Sequence, residues 1–374
     1  MRKTNLTSAC DRVKKSHSYL EGSSDQNVKR NFLLDRNHHV FFCRIEKIGS
    51  KFIVNFLQKL EDINIQEIIR KEKSILQREI LKAKKLSLVS DLPYNSYTDL
   101  HHSVMKSFKF MFVREPYGRL VSGYVDKFFM PNTLFWTTVG RYASSLFNGK
   151  DVKCGHNLSF PEFIRYVVYA EHTGEHTNRH FTSISDHCRP CDISYDFIGK
   201  METFKDDFIT LTYAWNKIYD TNVTFEDFES ETTHERAMFY SKRLFGMQSR
   251  IEKCVSFYEG MERTWIGLQI QGIIPKYSRF PFTESDVPGM SLERFQEAVG
   301  DAIKEITDKS AVKYQKQEAV IEAYSLLSFH DVVNIRELVR KDCQLFGYND
   351  SPDFIFGGKT KARKDNLQYF KIFQ

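Results

Sequence analysis

The chain has 374 residues, of which 41% are hydrophobic and 14% aromatic, which is enough for one large packed domain or two smaller ones. Its formal net charge of +6 suits an anionic ligand or an acidic polymer, but the basic excess is too small to indicate a nucleic-acid-binding face. No run of 18 apolar residues occurs, and the polar residues 1–30 lack the apolar segment of a signal peptide, so the sequence predicts neither a membrane span nor a secretory leader.

A first folded unit follows a polar amino-terminal arm. Residues 1–30 contain few apolar side chains and are expected to form a flexible stem. Residues 40–45 have the pattern of a buried strand, and residues 46–51 that of a basic loop in which Gly49 allows unusual backbone geometry. The apolar residues that follow recur at helical spacing, at Phe52, Ile53, Phe56, Leu57 and Leu60. The pattern predicts a strand, a loop and a helix in succession.

A second unit of this kind lies in residues 108–128. The apolar run 110–113 is typical of a short buried strand, and Pro116 ends it because proline cannot donate to a sheet ladder. Apolar residues then return at helical spacing. Arg114 at the strand end and the Ser122 hydroxyl early in the helix suit an anion, since a helix start offers N–H groups and a favourable dipole. An ordinary strand-to-helix junction with a surface arginine explains these residues equally well.

The other segments complete the pattern. We expect a charged helix over residues 61–90, a loop over 91–99, an irregular or lid-like segment over 129–158, a short helix over 160–170, a strand over 195–199, helical stripes over 202–300 and a helix over 331–343. Strands followed by loops and helices predict an α/β fold with a mainly parallel central sheet flanked by helices. Because ligands lie beyond the carboxyl ends of parallel strands, Lys47 and Arg114 are expected at the same edge.

The domain organisation follows from composition. We predict a flexible arm over residues 1–30, a single domain over 31–350 with a helical insert at about 205–320, and a basic tail over 351–374. The basic run in the tail is expected to be solvated.

The absence of a predicted membrane span and leader favours a soluble cytosolic chain, but the cysteines and the glycosylation sequons argue against it. There are seven cysteines, so at least one thiol stays unpaired if disulfides form. Cys188 and Cys191 form a C-x-x-C pair, which has no second pair to complete a zinc site and does not open a thioredoxin-like βαβ pattern. Asn-x-Ser/Thr sequons, each weak evidence alone, occur at Asn5, Asn157, Asn222 and Asn349.

Two long motifs resemble a known family. Residues 108–128, FKFMFVREPYGRLVSGYVDKF, and residues 178–203, NRHFTSISDHCRPCDISYDFIGKMET, resemble signatures of the Golgi carbohydrate sulfotransferases, in the branch of the chondroitin and dermatan 4-O-sulfotransferases and the HNK-1 sulfotransferase. Residues 160–167 and 342–348 match more briefly. The resemblance implies a P-loop-like sulfotransferase fold, a 3′-phosphoadenylyl sulfate (PAPS) co-substrate and a glycan acceptor resembling a glycosaminoglycan.

The resemblance also implies roles for particular residues. Arg114 and Ser122 match the residues that hold the 3′-phosphate of the donor, for which an arginine fork and a hydroxyl are suited. The loop that would hold the 5′-phosphosulfate consists of Lys47, Ile48, Gly49, Ser50 and Lys51. Lys47 would neutralise charge as the sulfuryl group leaves.

This loop departs from the family pattern at both ends. Glu46 stands where the family usually has proline, and Lys51 stands where it has threonine or serine. Glu46 brings a negative charge near an anion site, which is unfavourable unless the side chain points away, and Lys51 would restore the balance. The alternative to an active enzyme is therefore a catalytically weak relative that binds the donor nucleotide or an acidic glycan without turnover.

Sulfuryl transfer also needs a base for the acceptor hydroxyl. Histidine is the commonest choice because its pKa lies near neutrality, and His102 and His180 are candidates. Glu202 is a third candidate that is equally able to brace the site.

No ligand set implies a metal. In a lumenal sulfotransferase, disulfides from Cys188 and Cys191 to more distant cysteines are expected, with no pairing deducible from the sequence.

The resulting hypothesis is a carbohydrate O-sulfotransferase. A P-loop kinase is disfavoured because the chain lacks G-x-x-x-x-G-K-[ST]. The resemblance implies a Golgi protein held by a membrane anchor, and no such anchor is visible in this sequence.

Overall fold

The computed structural model describes residues 6, 8–11, 31–36, 38–58, 87–88, 97–148, 153–219, 228–357 and 368–371. The chain divides into two compact units. The first comprises Met1–Glu115, Asn178–Glu226 and Lys341–Tyr348, and the second comprises Pro116–Thr177, Asp227–Arg340 and Asn349–Gln374. The organisation into an arm, one domain and a tail stays a prediction.

A five-stranded sheet forms in the first unit, with the order β3-β1-β2-β4-β5. The strands are β1 Phe32–Asp35, β2 Val40–Cys43, β3 Ser87–Leu88, β4 Phe108–Val113 and β5 Phe197–Lys200. Strands β2, β4 and β5 are parallel neighbours, whereas β1 runs antiparallel to both β2 and β3. The predicted α/β fold is confirmed, and the strands that carry the predicted site are the parallel ones.

The interior strand β4, between β2 and β5, is apolar because it is covered on both faces. All of its residues are buried except Lys109, which is half-buried. The neighbouring strand β5 approaches β4 closely at Gly199, where an added Cβ would lie 2.2 Å from Cε1 of Phe112. Glycine is therefore needed for the two strands to pair.

Helices of the first unit accompany this sheet. They comprise residues 50–58, Tyr97–Lys106, Ile184–Cys188 and Phe204–Tyr219, together with the last residues of Phe329–Phe346. The helix Phe204–Tyr219 covers the sheet through Phe204 and Phe208, whose rings lie 4.8 and 6.3 Å from the ring of Phe112. This aromatic layer buries the face of β4.

Several sequence-based boundaries need correction. The predicted loop over 91–99 ends earlier, because Tyr97 already begins a helix, and β5 begins at Phe197 rather than at residue 195. Most of the predicted helix over 61–90 lies outside the described residues, but residues 87–88 pair with β1 as a strand. Strands β1 and β3 are too short to show a periodic pattern.

Two disulfides tie the first unit together, and both C-x-x-C cysteines pair with distant partners as expected. Cys43 at the end of β2 pairs with Cys188, and Cys10 pairs with Cys191. Residues 8–11 of the arm are helical, and Ala9 and Cys10 are buried. The arm is thus anchored at this point, while the rest of residues 1–30 lies outside the described part apart from Leu6.

The second unit is helical in its described residues. Its elements are Pro116–Tyr124, Val125–Phe129, Thr133–Phe135, Trp136–Gly140, Arg141–Asn148, Phe160–Thr173, Phe228–Gly246, Gln248–Ile251, Phe257–Ile270, Glu284–Gly289, Leu292–Lys304, Lys309–Ser325, Asp353–Phe356 and the first part of Phe329–Phe346. The predicted helices over 160–170 and 331–343 are confirmed. The first of these starts with a capping box between Ser159 and Glu162.

The segment predicted to be irregular over 129–158 is largely helical instead. Trp136 is fully buried and its indole Nε1 donates to the carbonyl of Phe128 at 2.8 Å. Gly140 packs so closely on Gly155 that a Cβ at Gly140 would lie 2.7 Å from the Gly155 oxygen. Gly140 and Gly155 therefore serve close packing, and the Cys154–Cys254 disulfide fixes the end of the segment.

The carboxyl-terminal end returns to the core of the second unit. Tyr369 and Phe370 are buried, and their main-chain N–H groups both donate to Glu322 Oε1 at 2.8 Å. The basic run of the predicted solvated tail lies outside the described residues.

Candidate functional site

The turn after β2 forms the first part of the candidate site. Residues 46–49 form the turn, and helix begins at Ser50. Lys47 has φ of 70° and Gly49 has φ of 73°, both in the left-handed region. Glycine adopts this conformation without cost, whereas a lysine there is strained by about 1 kcal/mol. The helix therefore starts close to the carboxyl end of β2, and a helix start is a favourable place for an anion.

The turn after β4 meets the first turn directly. Arg114 Nη1 donates to the main-chain oxygen of Lys47 at 3.3 Å, and both residues are half-buried. This contact follows from the parallel pairing of β2 with β4, which brings the ends of the two strands to one edge. Lys47 and Arg114 therefore lie at the same edge of the sheet, as the sequence predicts.

Glu46 has a cationic partner. Arg179 Nε lies 3.2 Å from Glu46 Oε1, and the two side chains are 33% and 23% exposed. Burial lowers the pKa of Arg179, Glu46 raises it, and nearby Arg44 lowers it. The negative charge that makes this loop unusual is thus opposed by a guanidinium from the second signature motif.

Glu202 braces the turn after β4. Its Oε1 accepts a hydrogen bond from the main-chain N–H of Glu115 at 2.8 Å, and its Oε2 accepts one from the hydroxyl of Tyr348 at 2.9 Å. Lys200 Nζ lies 4.0 Å from the centre of the Tyr348 ring. Both oxygens of the carboxylate are engaged, which favours the bracing alternative over a role as base.

The two candidate histidines lie in different settings. His180 is half-buried, and its Nδ1 lies 2.7 Å from Asn178 Oδ1. It directly follows Arg179, the residue that contacts Glu46. His102 is exposed on the helix Tyr97–Lys106, which enters β4 at the end of the strand opposite Arg114. Six residues of strand span about 20 Å, so the sheet itself separates the start of β4 from the candidate site.

The other residues that are predicted to bind the donor differ in their exposure. In the first unit Ile48 and Ser50 are buried, and Lys51 is exposed on the first turn of the helix. Ser122 is half-buried in the helix Pro116–Tyr124 of the second unit.

The second signature motif is fastened to the end of β2 and to Asp342 by contacts that the sequence does not reveal. His187 Nε2 lies 3.1 Å from the main-chain oxygen of Arg44, next to the Cys43–Cys188 disulfide. Asp342 accepts hydrogen bonds from the N–H groups of Ile184 and Ser185 at 2.6 and 2.8 Å. Sequence reasoning missed these roles and that of Arg179, although the residues lie within the quoted motifs.

These features define an α/β protein with a candidate anion site at the carboxyl edge of its sheet. The family model described as "Sulfotransferase family" matches residues 30–262. Since that is more than half of the chain, the protein belongs to the sulfotransferase family.

Curated relatives are carbohydrate sulfotransferases. The chain is 28% identical to human carbohydrate sulfotransferase 8 over 270 residues, which cover 69% of this chain and 59% of the relative. It is 28% identical to zebrafish (Danio rerio) carbohydrate sulfotransferase 14 over 218 residues, 55% of this chain and 54% of the relative. It is 27% identical to rat carbohydrate sulfotransferase 11 over 214 residues, 55% of this chain and 58% of the relative. The chain thus spans under two thirds of the length of these relatives. No solved structure matches it significantly.

The described residues form neither a membrane-spanning helix nor a metal site. No helix among them has the length and apolar character needed to cross a bilayer. No three His, Cys, Asp or Glu side chains in that part of the chain gather as a metal site.

Proposed function

We propose that this protein is a carbohydrate O-sulfotransferase that moves a sulfuryl group from PAPS to a hydroxyl of a glycosaminoglycan-like glycan. The observation that carries the proposal is the contact between Arg114 and the Lys47 turn, because it joins two cationic turns at one sheet edge. A donor with phosphates at both ends needs two such anion-binding groups. The names of the relatives support a carbohydrate acceptor.

We propose the following roles for the donor-binding residues, as the family resemblance implies. The N–H groups at Gly49 and Ser50 bind the 5′-phosphate, and Ile48 and Lys51 complete the loop around it. Arg114 binds the 3′-phosphate, and Ser122 is the further hydroxyl ligand that the resemblance predicts.

Transfer proceeds in line at sulfur. The acceptor oxygen forms a bond to sulfur while the bond from sulfur to the 5′-phosphate oxygen breaks, and adenosine 3′,5′-bisphosphate leaves. The ammonium of Lys47 neutralises charge on the leaving oxygen, which lowers the barrier because the charge develops in the transition state. The hydroxyl proton passes to a base.

His180 is the preferred base of the three candidates. When its Nδ1 carries the proton and donates to Asn178, Nε2 is the nitrogen that accepts a proton from the acceptor. His180 directly follows Arg179, which contacts Glu46 in the Lys47 turn. His102 lies near the opposite end of β4, and both carboxylate oxygens of Glu202 already accept hydrogen bonds that brace the site.

The compartment follows from the cysteines. Three disulfides pair six of the seven cysteines. Such pairing is typical of an oxidising compartment, so we propose the Golgi lumen. The sequon residues Asn157 and Asn349 are exposed, which supports a glycoprotein.

The test is transfer of labelled sulfate from PAPS to chondroitin and to a panel of other glycans. We expect incorporation by the wild type and none by Lys47→Ala. If the folded wild type binds adenosine 3′,5′-bisphosphate but labels no glycan, the donor-binding relative without turnover is correct instead.

A further inference from the structure

Glu46 directly precedes the lysine that we propose meets the donor. Its carboxylate is therefore close to any anion bound at the turn, and an unopposed negative charge there would repel a phosphate. The guanidinium of Arg179 opposes this charge, with its Nε 3.2 Å from Glu46 Oε1.

The surroundings of the pair are cationic. Arg44 lies near enough to Arg179 to disfavour its charge, while Glu46 favours it. Arg179 thus lies between an arginine that disfavours its charge and a glutamate that favours it, and its own positive charge opposes the charge of Glu46. Each residue offsets the charge of the other.

The segment that carries Arg179 does not depend on this pair for its position. It is fastened to the end of β2 by the Cys43–Cys188 disulfide and by the contact of His187 with the oxygen of Arg44. Replacing Arg179 should therefore change the charge at the turn while leaving the segment attached.

We propose that Arg179 is a positioning residue for the donor, which neutralises Glu46 and so allows the Lys47 turn to accept an anionic nucleotide. The inference rests on the proposed function, and it assigns to this chain a pair of residues that act together where the related proteins usually have a proline before the lysine.

A double-mutant cycle tests the pair. Binding of adenosine 3′,5′-bisphosphate is measured by calorimetry for the wild type, Arg179→Ala, Glu46→Ala and the double variant, at low salt. We expect Arg179→Ala to bind about tenfold more weakly, because Glu46 then loses the opposing charge of Arg179. Glu46→Ala should bind at least as tightly as the wild type, and the double variant should return to within about threefold of the wild type.

The salt dependence adds a readout that a purely structural role would not move. The loss in Arg179→Ala should shrink at about 0.5 M salt, where the Debye length is only a few ångströms. Arg294→Ala is the matched control, because Arg294 also pairs with a carboxylate, Asp286 at 2.8 Å, and lies outside residues 30–262. Its binding should equal that of the wild type.

The outcomes separate this inference from the proposed function. If the wild type fails to bind the bisphosphate, the proposed function falls and the inference with it. If the wild type binds and Arg179→Ala binds equally well, the inference alone is wrong. It is also wrong if the double variant is as weak as Arg179→Ala, or if Glu46→Ala is equally weak, since the pair would then be structural.

Discussion

Arg114 holds the turn that presents Lys47, through the hydrogen bond from its Nη1 to the Lys47 oxygen at 3.3 Å. An arginine has five N–H donors, so one guanidinium is able to support the turn and bind a phosphate together. A lysine has no planar fork and cannot reproduce this double contact. The candidate site is thus a unit in which one cation sets the position of the other.

We expect Arg114→Lys to weaken binding of adenosine 3′,5′-bisphosphate roughly tenfold despite the retained charge, because the fork geometry is lost. Calorimetry measures the effect, with Arg294→Lys as the control. Equal affinity in Arg114→Lys and the wild type would show that charge alone suffices.

Two substitutions of Lys47 distinguish the effect of its charge on kcat from the effect of its backbone conformation on stability. Both Lys47→Ala and Lys47→Gly are expected to lower kcat by about 100-fold or more, since the leaving oxygen loses its cation. Because φ at this position is 70°, the glycine variant should be more stable than the alanine variant by about 1 kcal/mol. Rate assays and urea unfolding measure the two effects. Lys313→Ala, an exposed lysine in the second unit, is the control, and full activity in either Lys47 variant would reject the assignment.

The choice of base is tested with the two histidines. We expect His180→Ala to lower kcat by about 100-fold or more with little change in bisphosphate affinity, and His102→Ala to leave kcat near the wild-type value. The opposite ranking of the two variants would move the base to His102.

Glu202 is expected to brace the site rather than accept the proton. Glu202→Gln keeps an oxygen for the Glu115 N–H, and Tyr348→Phe removes the hydroxyl that donates to Oε2. Both variants should lower the free energy of unfolding by about 1 kcal/mol and kcat by less than about tenfold. Glu202→Gln with wild-type stability and a kcat lower by about 100-fold would instead identify Glu202 as the base.

The second unit contains an ion pair that gives a pH-dependent stability. Arg165 Nε and Nη2 donate to the two oxygens of Asp331 at 3.0 Å, and the Ser328 hydroxyl donates at 2.7 Å. Burial alone would raise the pKa of Asp331, but these hydrogen bonds outweigh it and the pKa lies below its usual value. A carboxyl with a lowered pKa in the folded state stabilises the protein above the unfolded pKa of about 4, and this stability is lost as the pH falls through the folded value.

Asp331→Asn should therefore be less stable than the wild type by roughly 1 to 2 kcal/mol near pH 6. The difference should shrink below about pH 4, as the carboxyl of the wild type takes up its proton. Urea unfolding from pH 3 to pH 6 measures it. A difference that stays constant over this range would contradict the assignment of the lowered pKa.

The local strand, turn and helix units were predictable from the amino-acid sequence. The apolar runs of β2 and β4 are long enough to mark buried strands, and the residues after them mark turns, so the sheet edge with Lys47 and Arg114 was predictable. The helix Phe160–Thr173 was equally predictable, since its cap and its proline lie within a few residues of one another. Such signals are local, and a single sequence displays them directly.

Tertiary structure alone decided which distant residues meet. The disulfide partners of Cys188 and Cys191, the pairing of Glu46 with Arg179 and the use of both Glu202 oxygens depend on how strands and loops far apart in sequence are brought together. The antiparallel strands β1 and β3 were hidden for a related reason, because a strand of two to four residues is defined by its hydrogen-bonded neighbour and not by a periodic pattern of its own. Whether Glu46 repels or permits an anion is a question of which charge opposes it, and that charge comes from a different part of the chain.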